Sequence, residues 1–276
     1  MQFSDKTELI TIFQDTLERC QNDVTLSSAV ENSLNMQYVL KDGELVDLDA
    51  VLYDKPADIT VSMRRTIEAA EYYKDSKVCV LNFSSSKNPG GGVANGARAQ
   101  EECICRVTTL YPCLSSERIM NGFYLPHKSM FSDTLYNNDL IFTPKVFCIK
   151  TDTTRPVIRD RKEWFTVDVI TCASPNLSAY TRIGDEQLEK IQQKRLERVF
   201  LTAIKEGAET LILGAFGCGA FRNPPEVVAR VMKALCDKYS HYFKTIEFAV
   251  YCTKKNPRNY EAFCDVFGVE PNCVLK

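Results

Sequence analysis

From residue 59 onward, short apolar runs alternate with helix-forming stretches. That alternation restricts the chain to α/β architectures, with a mostly parallel sheet flanked by helices. Residues 59–63 read as a short strand and 65–73 as a helix. Residues 77–83, Lys-Val-Cys-Val-Leu-Asn-Phe, read as a buried strand. A loop over 84–96 leads into a helix over 97–110. Residues 140–150 and 166–172 are β-rich, 185–206 predict a helix and 210–214 a strand. A helix over 224–239 and a strand over 245–252 follow. Ahead of this series, Leu9, Ile10, Ile12, Phe13 and Leu17 fall near helical spacing and predict an amphipathic helix over 6–21. The rest of the segment to residue 55 is polar and turn-rich. The expected organisation is an N-terminal accessory extension over 1–55 and one α/β domain over 56–276, large enough to bury a core without covalent staples.

Several function classes lose support at once. A formal net charge of −2 gives no global attraction to nucleic acid or to an anionic membrane, so an anionic ligand would have to be held locally. No apolar run approaches the roughly 20 residues that span a bilayer. The N-terminus lacks the basic patch and apolar stretch of a secretory signal. Twelve cysteines lie scattered with no Cys-x-x-Cys pair, and only His127 and His241 could join them at a metal. Reduced thiols in a cytoplasmic protein without a metal site are therefore expected.

Two loops at carboxyl ends of strands, where ligands of such sheets bind, carry the chemistry. The first, residues 88–102, reads Asn-Pro-Gly-Gly-Gly-Val-Ala-Asn-Gly-Ala-Arg-Ala-Gln-Glu-Glu. Gly90, Gly91 and Gly92 bare the backbone, so a sugar or phosphate can approach main-chain amides. A ligand-free tight turn fits the same triplet. Glu101 and Glu102 follow on a helix, where neighbours point about 100° apart and cannot form a symmetric pair. Two solvated glutamates favoured by the helix dipole are the alternative. The second loop, residues 214–226, lies between a strand and a helix whose first turn suits Pro224 and Pro225. Free amides of that helix would face a glycine-rich turn, an anion cradle suited to a diphosphate. It is neither a Walker A loop nor a dinucleotide fingerprint. Phe221 beside it would either stack on a ribose or plug the core.

The glycine triplet, a short spacer and Gln100-Glu101-Glu102 resemble the signature of poly(ADP-ribose) glycohydrolases. Residues 80–83, 97–106, 167–176 and the second loop resemble the bacterial-type branch in the same order, so the likeness spans residues 55–255. It implies a macrodomain-like three-layer α/β/α sandwich with a mixed, mostly parallel sheet. By the same resemblance Glu102 would be the catalytic acid/base and Glu101 would hydrogen-bond the ribose hydroxyls, with Gln100 in support. Gly90, Gly91 and Gly92 would line the sugar and pyrophosphate. Gly217, Cys218, Gly219 and Ala220 would wrap the diphosphate, and Phe221 would pack on the distal ribose. Where many macrodomains place an Asn for that ribose, this chain has Ser84-Ser85-Ser86, and Asn88 is the substitute to consider. Tyr251 is a candidate for the adenine pocket or for the core. Asn176 and Asp160 lie in matching stretches without an assigned role.

Glycosidic cleavage needs a proton for the leaving oxygen and an activated water. Adjacent glutamates cannot flank the bond, so one carboxyl must serve both steps, in a scheme that requires no metal or other cofactor. The expected partners are poly(ADP-ribose) or ADP-ribosylated macromolecules, with ADP-ribose as product released mainly from chain ends. A reader module that binds ADP-ribose without turnover is the rival from another class. A hydrolase of single ADP-ribose units on protein or nucleic acid is the enzymatic rival.

Overall fold

The computed structural model describes residues 5–46, 48, 52–129, 134–178 and 183–271. Two helices open the chain, α1 (Lys6–Asn22) and α2 (Val24–Met36), followed by β1 (Tyr38–Leu40), β2 (Asp58–Ser62), α3 (Thr66–Tyr72) and β3 (Val78–Phe83). Next come α4 (Gln100–Val107), α5 (Leu110–Leu114), α6 (Glu117–Ile119), α7 (Leu125–Ser129), β4 (Leu140–Cys148) and β5 (Phe165–Cys172). The chain continues through α8 (Asp185–Lys205), β6 (Thr210–Leu213), α9 (Pro225–Tyr239), β7 (Thr245–Ala249) and α10 (Arg258–Phe267).

The seven strands form one sheet in the order β1-β4-β5-β3-β6-β7-β2. All pairs are parallel except those of β4, which runs against both β1 and β5. Alternation along each strand feeds two cores. In β3, Cys79 and Leu81 face α8, α9 and α10, whereas Val78 and Val80 face α1, α3 and α4. The expected three-layer α/β/α sandwich is thus the observed one.

The N-terminal segment corrects an expectation. Residues 24–40, read as polar and turn-rich, form α2 and β1, and β1 is an edge strand of the same sheet through its pairing with β4. Helical periodicity is faint in α2 because its buried face is Leu26, Ala29 and Ser33. The Ser33 hydroxyl is accommodated by donating to Pro144 O at 2.7 Å. Asp23 caps this helix by accepting from Thr25 N and Leu26 N, as Asp5 caps α1 by accepting from Glu8 N. The helix expected over 97–110 is confined to Gln100–Val107, and the strand expected over 245–252 ends at Ala249. No helix among the described residues is long and apolar enough to cross a membrane.

Candidate active site

Carboxyl ends of the parallel strands converge on a cleft of about 460 Å³, within the roughly 300–1,000 Å³ typical of small-molecule sites. Because β3 and β6 are hydrogen-bonded neighbours, the loops that follow them meet across it. Gly91, Gln100, Glu101 and Glu102 line one wall, and Gly217, Gly219, Ala220 and Phe221 line the opposite one.

Gln100 fastens the start of α4 to the end of β3. Its Oε1 accepts from Phe83 N at 2.8 Å, and its Nε2 donates to Leu81 O at 2.7 Å and Thr66 Oγ1 at 3.0 Å. The two glutamates then reach back to the glycine loop. Ser85 N donates to Glu101 Oε2 at 2.7 Å, and Gly92 N donates to Glu102 Oε1 at 2.8 Å. Gly91, at φ +58°, marks where the carboxyls converge. A Cβ there would lie 2.5 Å from Glu102 Oε1 and 3.0 Å from Glu101 Oε2. The carboxyls are therefore neighbours despite their divergent Cα–Cβ directions, because flexible side chains and two separate backbone donors bring them together. They remain inequivalent. Their second oxygens, Glu101 Oε1 and Glu102 Oε2, are buried and accept no hydrogen bond from the protein.

Burial pushes the Glu101 carboxyl from its ordinary 4.5 up to about 8, against the Ser85 amide and with the help of the Glu102 charge. Folding therefore holds a proton that the unfolded chain releases once pH exceeds 4.5. Stability falls as pH rises from 4.5 to 8, by about 1.4 kcal/mol for each pH unit crossed. Glu101→Gln removes that penalty while its amide oxygen can still accept from Ser85 N. We expect thermal unfolding of the variant to rise by several degrees above wild type at pH 8, at about 2–4 °C per kcal/mol. The difference should vanish below pH 4.5, and equal melting temperatures across that range would contradict the assignment.

The second loop is held from behind. Gln192 Nε2 donates to Ser174 Oγ and to Asn223 Oδ1, both at 3.0 Å, and Asn223 Nδ2 donates to Pro175 O and Gly217 O. Gly217 has φ +76°, and a Cβ on it would meet Ser174 Oγ at 2.0 Å. At the far end of the cleft Arg65 lies over the Tyr251 ring, 4.1 Å from its centroid. Asp152 caps α3 by accepting from Ile67 N at 3.1 Å, and its Oδ1 is buried without a partner. Burial, opposed by Arg65, pushes its carboxyl up to about 6.

A family model described as microbial-type PARG, catalytic domain, matches residues 10–151, just over half of the chain. The chain belongs to this family. Structures of poly(ADP-ribose) glycohydrolase (PARG) agree with it. The enzyme from Thermomonospora curvata is 27% identical with a TM-score of 0.85, covering 95% of this chain and 100% of that one. Its form bound to the inhibitor ADP-HPD is 26% identical with a TM-score of 0.81, covering 94% and 99%. The Deinococcus radiodurans enzyme in complex with ADP-ribose is 28% identical with a TM-score of 0.76, covering 87% and 97%. The macrodomain-like fold implied by the sequence is thus the family's. Comparison with curated proteins gave no match.

In this PARG-family cleft not every expected residue faces the ligand space. Asn88 is exposed and outside the lining; its backbone amide donates to Ser85 Oγ at 3.1 Å. Ser84 and Ser85 line that wall instead. Gly90 lies behind the site, where a Cβ would strike Tyr111 at 2.7 Å, and Gly92 acts through its amide on Glu102. Cys218 packs toward the core of α8 and α9. Tyr251 is on the cleft wall and 44% exposed, not in the core. Asn176 closes a local turn with Ser178, and Asp160 precedes a short turn over 161–163 without a side-chain hydrogen bond to it. Arg65, Ser85, Asp152, Ser174 and Asn223 were not foreseen. Of these only Ser174 and Asn223 lay within motifs that the sequence singles out for likeness.

Proposed function

We propose that the protein hydrolyses the ribose–ribose O-glycosidic bonds of poly(ADP-ribose), releasing ADP-ribose mainly from chain ends, with Glu102 as acid/base. The observation that carries this reading is the meeting of two buried carboxyls, each on a backbone amide of the glycine loop, with a glycine-rich turn across the cleft. A non-catalytic reader has no use for two carboxyls that are costly to bury beside a sugar. The distal ribose would sit against Glu101 and Glu102. The diphosphate would lie along the amides of 217–221, and the adenine would extend toward Arg65 and Tyr251.

With Glu101 holding a proton near neutral pH, its carboxyl can both donate to and accept from ribose hydroxyls. Glu102, entering the step in its acid form, would protonate the leaving oxygen as the oxocarbenium-like state develops, and the resulting carboxylate would take a proton from the attacking water, which restores the acid. Among the described residues no residue of the N-terminal segment lines the cleft. The eleven described cysteines are all unpaired thiols, which fits the cytoplasm.

Incubation of the purified protein with poly(ADP-ribose), with mono-ADP-ribosylated protein and with ADP-ribosylated DNA tests the reading. Free ADP-ribose from the polymer, without oligomers, is the expected chromatogram. Release only from the mono-modified substrates would favour the other hydrolase. Binding without release from any substrate would leave a reader.

A further inference from the structure

Behind the glutamates lies a side chain that the reaction scheme does not use. Arg106 is 1% exposed. It sits on α4 one turn after Glu102, and burying a guanidinium is costly unless its contacts are specific. Its Nη2 donates to Ala97 O at 2.5 Å. Ala97 N in turn donates to Gly92 O at 3.2 Å, and Gly92 N donates to Glu102 Oε1 at 2.8 Å. The circuit closes on itself: the first turn of α4 holds one end of the 92–97 turn through Glu102, and the last turn holds the other through Arg106.

α1 braces this circuit from outside. Lys150, with its side chain 3% exposed, donates to Ile12 O at 2.6 Å and Thr16 Oγ1 at 2.7 Å, and pairs with Asp15 at 2.7 Å. With an ammonium against its oxygen, the Thr16 hydroxyl directs its own proton away, to Arg106 O at 2.6 Å. That carbonyl belongs to the end of α4, which otherwise lacks an intrahelical partner. The backbone of Lys6 lies against Gly96, where a Cβ would strike Lys6 O at 2.6 Å.

We propose that Arg106 is a positioning residue for hydrolysis, clipping the 92–97 turn so that Gly92 N fixes the aim of the Glu102 carboxyl, with α1 as the brace that holds Arg106. The inference rests on Glu102 being the reacting group. Arg106 is absent from the cleft lining, and its hydrogen bond goes to the 92–97 turn, so its loss misaims the carboxyl and leaves the 217–221 cradle intact.

The test combines kinetics on the polymer with hydrogen exchange on the full chain. Arg106→Met should lower kcat by about 10- to 100-fold, the effect of roughly 1 Å of misplacement. KM and ADP-ribose affinity should stay within about twofold, because uniform binding is untouched. Exchange over residues 90–99 should accelerate while that over 214–223 does not. Arg106→Lys, which keeps a cationic donor for Ala97 O, should recover most of both effects. Unchanged kcat, an equal loss of kcat and ADP-ribose affinity, or unchanged exchange over 90–99 would each overturn the proposal. If Arg106→Met fails to fold, Thr16→Val removes the hydroxyl that donates to Arg106 O, while Lys150 keeps Ile12 O and Asp15 as partners. It should show the same pattern at about threefold, and unaltered kcat and exchange in it would count as refutation. A wild-type protein that binds ADP-ribose but releases none would sink the hydrolase reading instead, and the exchange data would still decide whether Arg106 clips the turn.

Discussion

Glu102→Gln will lower ADP-ribose release from the polymer by about 10³-fold or more, toward the upper end of what one acid/base group contributes, and will leave ADP-ribose affinity within a few-fold of wild type. The substitution isolates proton transfer. A glutamine oxygen can still accept from Gly92 N, so the first loop keeps its shape, and the cleft keeps its volume. What is lost is the ability to donate a proton to the leaving oxygen and to receive one from water. Because a single group serves both steps, both barriers rise.

The companion variant sharpens the test. Burial places the carboxyl that is pushed up to about 8 at Glu101. If Glu101 were the donor, Glu101→Gln would be the more damaging change. With Glu102 as the donor, Glu101→Gln costs only ribose orientation, about tenfold to a hundredfold. Rates measured on the two variants under single-turnover conditions, with ADP-ribose affinity by calorimetry, decide between the orders. A Glu102→Gln enzyme retaining a tenth of wild-type turnover would remove the assignment altogether.

What was legible in the sequence is what depends on residue type alone. Three adjacent glycines after a strand, and Gln-Glu-Glu at the head of a helix, carry their chemistry in their identities. The continuous apolar run over 78–81 was equally plain as a buried strand, because its residues face apolar clusters on both sides of the sheet. The readings that failed needed tertiary information. α2 buries Ala29 and Ser33 because Pro144 O waits for the serine hydroxyl, and nothing in residues 24–36 announces that acceptor. Asn88 was a reasonable stand-in for a missing ribose ligand by its side chain, yet the loop turns it outward, and it is a backbone amide, that of Ser85, that meets Glu101. Backbone donors have no signature in a sequence. Arg65 and Asp152 follow β2 and β4, distant in the chain, and meet at one end of the cleft only through the packing of α3. Arg106 reads as an ordinary charged residue near the end of a helix until its burial is seen.

Gly217→Ala will weaken ADP-ribose binding by about 10²-fold or more, whereas Gly219→Ala, two residues away, will change it by less than about threefold. The two glycines are indistinguishable as text, and the structure separates them by what surrounds them. At Gly217 φ is +76°, and a new Cβ would sit 2.0 Å from Ser174 Oγ, 2.6 Å from Ser174 Cβ and 2.7 Å from Asn223 Nδ2. Neither neighbour is free to yield, since both are buried and both accept from Gln192 Nε2. The left-handed backbone alone costs a non-glycine residue about 1–2 kcal/mol. The contact must then push the turn away from β5. Amides of 217–221 that should converge on a diphosphate would lose their aim, and each charge-assisted hydrogen bond forfeited is worth about 1.5–3 kcal/mol. Two such losses suffice for the stated drop, at about 1.4 kcal/mol per factor of ten. Gly219 has open space at its Cβ position and no positive φ, so alanine there leaves the frame of the loop unstrained. Calorimetric titration of both variants with ADP-ribose, after checking that each melts cooperatively, gives the comparison. Wild-type affinity in Gly217→Ala would show that the 214–223 turn does not hold the diphosphate. Equal losses in the two would show that contact surface, not the conformation imposed by Ser174 and Asn223, makes the cradle.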